Sequence, residues 1–197
     1  MRYVVIDIEA SGFDGFPIEV GWCDQDGNCE GHVIRPAWDW TDWDNRSERV
    51  HGISREYLAD QGKPFDAVAK LVADMLARCR ADGVMVASDN PDYDRDWLIK
   101  LLRRADIEDD VVLANIQQLY AIAVKPMFAV LPQAGLPDFN ADHACALVRR
   151  DAIIQAAKTQ VSARPKHRAA DDARRLRNII EMIKAKVSIF TQLEKQR

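Results

Sequence analysis

The chain opens on MRYVVIDIEA, where an apolar, β-branched run ends in two carboxylates spaced two residues apart. Residues 2–8 are rich in strand formers and too short for a helix, so they read as a β-strand beginning almost at the first residue. Side chains alternate along a strand, which puts Asp7 and Glu9 on one face. Ionised acids beside an apolar run are costly unless cations or solvent compensate them. A polar strand end in water accounts for the pair as well as a functional site does.

The sequence continues in the same style. PIEVGWCD (17–24) and EGHVIRP (30–36) read as two more strands joined by QDGN, whose Asp-Gly pair is a hairpin signal. Three strands in succession imply an antiparallel meander. Residues 36–58 carry three tryptophans and many acids without a sustained period, and read as a long loop with a short helix near its end. The spacing of Val68, Leu71, Val72, Met75, Leu76 and Cys79 predicts a helix over 64–81, with Pro64 ahead of its first turn. GVMVAS (83–88) is a short buried strand, 92–107 a helix and VVLANI (111–116) a further strand leading into a short helix near 117–124. Strand and helix alternate from there, so the fold class is α/β with a mixed sheet, parallel strands adding to the meander. Pro126, Pro132, Gly135 and Pro137 mark 125–139 as a loop or lid, and 141–159 and 168–185 are helical. No repeat or domain-splitting linker interrupts the chain, so we expect one domain over 1–197 with a short helical extension at about 186–197.

Charge narrows the function classes. With 31 acidic against 27 basic residues the net charge is −4, unlike a protein that holds nucleic acid by bulk positive charge. A nucleic-acid partner would need local contacts or metal ions. Cys23, Cys29, Cys79 and Cys145 form no CxxC pair and no zinc-spaced cluster, and read as free thiols of a cytosolic protein. The N-terminus lacks a signal-peptide core, and no stretch is apolar enough to span a membrane, which together predict a soluble, cytoplasmic protein.

Two later segments concentrate acids as the first strand does. In ASDNPDYDRDWL a loop enters a helix, where Asp89, Asp92, Asp94 and Asp96 compete for any role and the helix macrodipole favours acids regardless. In KHRAADDARRL, His167 precedes a helix and Asp171 and Asp172 fall in its first turns, so His and acid can face one cleft. A capping or surface role explains each equally well when taken alone.

In order and register, however, the three segments resemble the motifs of the DEDDh 3′-to-5′ exonucleases, a DnaQ-like family of the ribonuclease H-like superfamily. The family's Asp-x-Glu falls on Asp7 and Glu9. Its aromatic-Asp-x-x-aromatic-Leu falls on Tyr93, Asp94, Trp97 and Leu98, and its His-x-Ala-x-x-Asp-Ala on His167, Ala169, Asp172 and Ala173. That register selects Asp94 and Asp172 over their acidic neighbours. VHGIS (50–54) looks like the family's His-Gly-Ile segment, so the resemblance covers residues 2 to about 180. Two places depart from the pattern: Asp89-Asn90 stands where His-Asn is common, and Ala10-Ser11 where Thr-Thr is.

The resemblance implies a ribonuclease H-like fold and a metal-dependent exonuclease that releases nucleoside monophosphates from a 3′ end. It implies two divalent ions, Mg²⁺ or Mn²⁺, which all-oxygen ligands favour over zinc. Asp7, Glu9 and Asp172 would hold one ion and Asp7 and Asp94 the second, with His167 as general base, a task suited to an imidazole titrating near neutrality. Ala10, Ser11, His51 and Asn90 are expected at the substrate's last nucleotide. The partner would be a DNA or RNA 3′ end, a homodimer is possible on this reading, and a fold-retaining binding module without catalysis is the alternative class. Trp38, Trp40 and Trp43 either stack on bases or pack their loop onto the body. Arg149, Arg150, Arg164, Lys166, Arg168, Arg174 and Arg175 read mostly as a solvated face, with one or two phosphate contacts among them.

Overall fold

The computed structural model describes residues 1–130, 139–161 and 167–196, with side chains described for these except 139–145. Pro132, Gly135, Pro137, Arg164 and Lys166 lie outside the described residues, as does the side chain of Cys145. The contacts group the chain into two compact units, Met1–Ile116 with Pro165–Arg177, and Gln117–Arg164 with Asn178–Arg197.

The first unit is built on the meander. Strands β1 (Tyr3–Ala10), β2 (Pro17–Asp24) and β3 (Cys29–Arg35) pair antiparallel. Gly27 takes a positive φ of 94° in the turn between β2 and β3, as the Asp-Gly signal requires. Short strands β4 (Lys63–Pro64), β5 (Met85–Ser88) and β6 (Ala114–Asn115) add parallel pairs, giving a mixed six-stranded sheet in the order β4-β3-β2-β1-β5-β6. Helices α3 (Phe65–Ala81) and α4 (Pro91–Arg104) cover one face. Their apolar stripes meet the even-numbered residues of β1, Val4, Ile6 and Ile8, in a core with Val72, Leu76, Leu98 and Leu101. Each fully buried aliphatic side chain there contributes about 1.5–3 kcal/mol. The odd-numbered face of β1 is thereby left for polar groups at its end.

Several elements differ from the sequence reading. The tryptophan segment holds two short helices, α1 (Asn45–His51), capped by the Asp44 carboxylate, and α2 (Arg55–Gln61), capped by the Ser54 hydroxyl. Both are too short to leave a periodic signal. Trp40 stacks on Phe16 at 4.7 Å, and Trp43 donates to Glu48 at 2.6 Å beneath the Arg55 guanidinium. These two pack the loop onto the body, and Trp38 is left 88% exposed. Of the expected strand 111–116 only Ala114–Asn115 pairs, because Val111 is instead buried in the core while its carbonyl accepts from Arg95 Nε at 3.1 Å.

The reading of four free thiols is corrected. Cys23 and Cys29 are register partners across the β2–β3 hairpin and form a disulfide. Cys79 is free and buried.

The second unit contains α5 (Ile116–Phe128) from Gln117 onward, α6 (Phe139–Gln160) and the later part of α7 (Ala169–Lys195). Pro126 lies inside α5, not in the loop expected to contain it, and α7 runs without a break through the residues expected as a separate extension. Tyr120, Met127, Ile180 and Ile183 are buried. No helix among the described residues is long and apolar enough to cross a membrane.

Candidate active site

Asp7 and Glu9 leave the same face of β1, and the register shifts between Glu9 and Ala10, so the strand pairing becomes irregular just beyond the second carboxylate. Directly across from Asp7 on β2 stands Gly21, and across from Gly21 on β3 stands Gly31. A Cβ on Gly21 would lie 2.2 Å from the Ala170 nitrogen, and one on Gly31 would lie 2.8 Å from the Ala170 Cβ. The first turn of α7 therefore rests on two bare backbone positions beside Asp7. Glycine within a strand is expected where another backbone approaches closely.

An ion pair anchored on a buried carboxylate stands next to the residue that precedes this turn. Glu19, the register partner of Glu9, is 4% exposed. Its carboxylate accepts from Arg168 Nε at 3.0 Å, from Arg168 Nη2 at 2.7 Å and from the Ala169 N–H at 3.1 Å. With Arg168 held in this fork, His167 takes a φ of 52°, a left-handed conformation that non-glycine residues rarely adopt. A ring nitrogen of His167 and carboxylate oxygens of Glu9 and Asp172 then lie within 4.8 Å of one another. Asp172 is itself 4% exposed and accepts from Arg175 Nε at 3.2 Å.

The fourth acid comes from the other side. Asp94, in the first turn of α4, is 3% exposed and accepts from the Ser88 hydroxyl at the end of β5. Ser88 in turn accepts the Asn90 N–H at 3.0 Å, which fixes the link from β5 into α4. Burial, then the charges of Asp94, Glu9, Asp89 and Asp172, hold the Asp7 carboxyl well above the ordinary range. Glu9 is pushed up to about 8, by burial first and then by Asp172, Glu19 and Asp94, against a lowering by Arg168. Asp94 rises to about 7, chiefly through burial and with Asp89 adding to it, against the hydrogen bond from Ser88. The acids thus act on one another as a single cluster that is costly to ionise without cations. Carboxylate oxygens in that number, with one imidazole at the edge, fit hard divalent ions.

Two of the four remaining expected residues line a cavity of about 350 Å³ beside Glu9, and Ser11 and Asn90 do not. Ala10 and His51 line it together with Phe13, Val50 and Trp97. His51 is buried, its Nδ1 accepts the Ile53 N–H at 3.0 Å, and its Nε2 has no partner among the described residues. Ser11 is turned into its own loop, 1% exposed, with its hydroxyl accepting the Phe16 N–H at 3.1 Å. Trp97 Nε1 donates to the Phe13 carbonyl at 3.2 Å, and Lys100 Nζ to the Asp14 and Gly15 carbonyls at 2.7 Å each, so α4 holds this loop. Asn90 is exposed at the start of α4.

No protein-family model and no curated protein matches the sequence. Solved structures do match the fold. E. coli exonuclease I in complex with a dA16 oligonucleotide superposes with a TM-score of 0.64 over 98% of this chain and 42% of its own, at 14% identity. A 3′-exonuclease that recognises a histone mRNA stem-loop gives 0.57 over 93% of this chain and 64% of its own, also at 14% identity. The chain has the exonuclease I fold. Its mixed sheet flanked by helices is the ribonuclease H-like architecture, and it spans less than half the length of exonuclease I itself.

Within that fold, residues from β1, α4 and the start of α7 come together although they lie far apart in sequence. Glu19, Gly21, Gly31 and Ser88 complete the arrangement and were not anticipated, and Arg175, expected on a basic face, joins them at Asp172. The two glycines carried a readable signal, since each interrupts a strand. Of the basic residues expected on a solvated face, Arg168 is bound to Glu19, Arg174 to Asp171 and Arg175 to Asp172.

Proposed function

We propose that the chain is a divalent-metal-dependent 3′-to-5′ exonuclease that removes nucleoside monophosphates from single-stranded ends. The convergence of Asp7, Glu9, Asp94, Asp172 and His167 on the odd-numbered face of an exonuclease-type sheet carries this reading. Asp7, Glu9 and Asp172 would hold one ion, and Asp7 with Asp94 the second. Bound there, Mg²⁺ or Mn²⁺ would neutralise the scissile phosphate and the charge that develops on the leaving 3′ oxygen.

The chain's own residues do the rest. His167, beside the Glu19–Arg168 fork, accepts the proton of the attacking water on a ring nitrogen and must be neutral to do so. The water oxygen bonds to phosphorus as the bond to the 3′ oxygen breaks, leaving a shortened strand with a 3′ hydroxyl and a free monophosphate. Ser88 keeps the Asp94 carboxylate in one orientation. The cavity beside Glu9, walled by Phe13, Val50 and Trp97 with Asp44, Arg46, Ser47 and His51 among its polar members, is of a size and character to take the terminal nucleoside. An acidic chain can bind a polyanion in this way because the ions and stacking contacts replace bulk positive charge.

The fold neighbours include one protein bound to DNA and one that recognises an mRNA stem-loop, so RNA or short oligonucleotides are the second reading. Incubation of 5′-labelled single-stranded DNA and RNA with Mn²⁺ should give a ladder shortening from the 3′ end. EDTA or Asp7→Ala should abolish it. An uncut strand in all three conditions would leave a nucleic-acid-binding module as the better account.

A further inference from the structure

A guanidinium stands inside the acid cluster at Asp172. Arg175, one turn beyond Asp172 on α7, donates Nε–H to Asp172 Oδ1 at 3.2 Å, with its side chain 21% exposed and that of Asp172 6% exposed. Its neighbours are engaged elsewhere: Arg174 with Asp171, and Arg177 with the Gln25 carbonyl at 2.6 Å. Arg168 is committed to Glu19. Asp89, the first residue after β5, lies within electrostatic reach of both Arg175 and Asp172.

A buried carboxylate in a crowd of acids needs a counter-charge, and the Arg175 guanidinium supplies one at Asp172. The same contact opposes any divalent ion that uses Asp172, because the incoming charge meets a positive group already hydrogen-bonded to its ligand. Arg175 is long and hinged, and Asp89 offers it a second carboxylate close by. We propose that Arg175 is the built-in counter-ion of the metal-free site. It gives up Asp172 when a divalent ion binds, and so sets the ion concentration at which the site fills. This rests on the exonuclease reading, in which Asp172 is an ion ligand.

Mn²⁺ binding measured by calorimetry on the full chain tests it, using the wild type, Arg175→Gln and Asp7→Ala. Removing one positive charge within a few ångströms of a divalent ion should tighten Mn²⁺ binding roughly tenfold in Arg175→Gln. The metal-free variant should melt at a lower temperature than the wild type, and saturating Mn²⁺ should close that gap. Equal or weaker Mn²⁺ binding by folded Arg175→Gln overturns the proposal. Should that variant fail to fold, the Arg175 side-chain Nε–H resonance of the wild type decides: it should shift on saturation with Mg²⁺, and an unmoved resonance overturns the proposal. A wild type that binds no Mn²⁺ removes the exonuclease reading and this inference together. Wild-type binding that is lost in Asp7→Ala but unchanged in Arg175→Gln removes the inference alone.

Discussion

A carboxylate as enclosed as Asp94, with one hydroxyl donor in Ser88, is tolerated either by holding a proton or by meeting a cation. His167 differs in kind, because it sits outside the helix that carries Asp172, in a left-handed conformation beside a neighbour that is held in an ion pair. Its position near Glu9 and Asp172 suits a proton acceptor at the rim of the cluster. His167→Ala should therefore slow cleavage by about 10²–10⁴-fold while leaving Mn²⁺ affinity within a few-fold of the wild type. Single-turnover cleavage and calorimetry read the two separately, and a parallel collapse of both would make His167 a ligand. At this scale Asp7 and Glu9 were legible from strand alternation, and Asp94 and Asp172 from the register of their motifs. Glu19 was not, since an acid in the middle of a strand gives no sign of a partner 149 residues away. Ser11 shows the converse, a hydroxyl beside a motif that loop closure already occupies.

Elements place these groups through steric fit. The seat of α7 is a row of backbone, Gly21 beside Asp7 and Gly31 beyond it, with Ala169 and Ala170 as the small residues that settle there. Gly21→Ala should be the more damaging of two conservative changes. Its Cβ meets the Ala169–Ala170 backbone at 2.2–2.5 Å, whereas that of Gly31→Ala meets one methyl at 2.8 Å. We expect Gly21→Ala to lose about 1–3 kcal/mol of stability, as overpacking typically does, and to lose most activity in whatever fraction folds, since His167 and Asp172 travel with α7. Gly31→Ala should be milder on both counts. Urea denaturation with cleavage assays would check the ranking, and equal effects would mean that α7 can shift without penalty. Long amphipathic elements such as α3 and α4 were legible because their apolar stripes repeat over several turns. Of the two-turn helices, one was expected near the end of its segment, where α2 lies, and α1 was not, both being fixed by the caps Asp44 and Ser54 and by the packing of Trp40 and Trp43, which periodicity does not register.

For the whole molecule, a modest net charge of −4 conceals a concentrated deficit at one end of β1. Glu9 rises from 4.5 to about 8 and Asp94 from 3.8 to about 7 on folding, both mainly through burial. A carboxyl whose folded value is raised favours the folded state while protonated. The stability it contributes is thus fully present below its unfolded value, near pH 4, and is lost as pH climbs through 7 to 8. Metal-free protein should accordingly melt at progressively lower temperature as pH rises from about 5 to 8.5. Divalent ions act on the same groups with opposite pH dependence, because protons compete for the carboxylates at low pH. The rise in melting temperature on adding Mg²⁺ should then be larger at pH 8 than at pH 5.5. Glu9→Gln separates repulsion from any other cause: it should raise metal-free stability at pH 8 and sharply reduce the Mg²⁺ increment. Thermal melts with EDTA or Mg²⁺ across this range test the argument. A metal-free melting temperature that climbs with pH, or a Mg²⁺ increment that ignores it, would place the protein's main electrostatic strain somewhere other than this cluster.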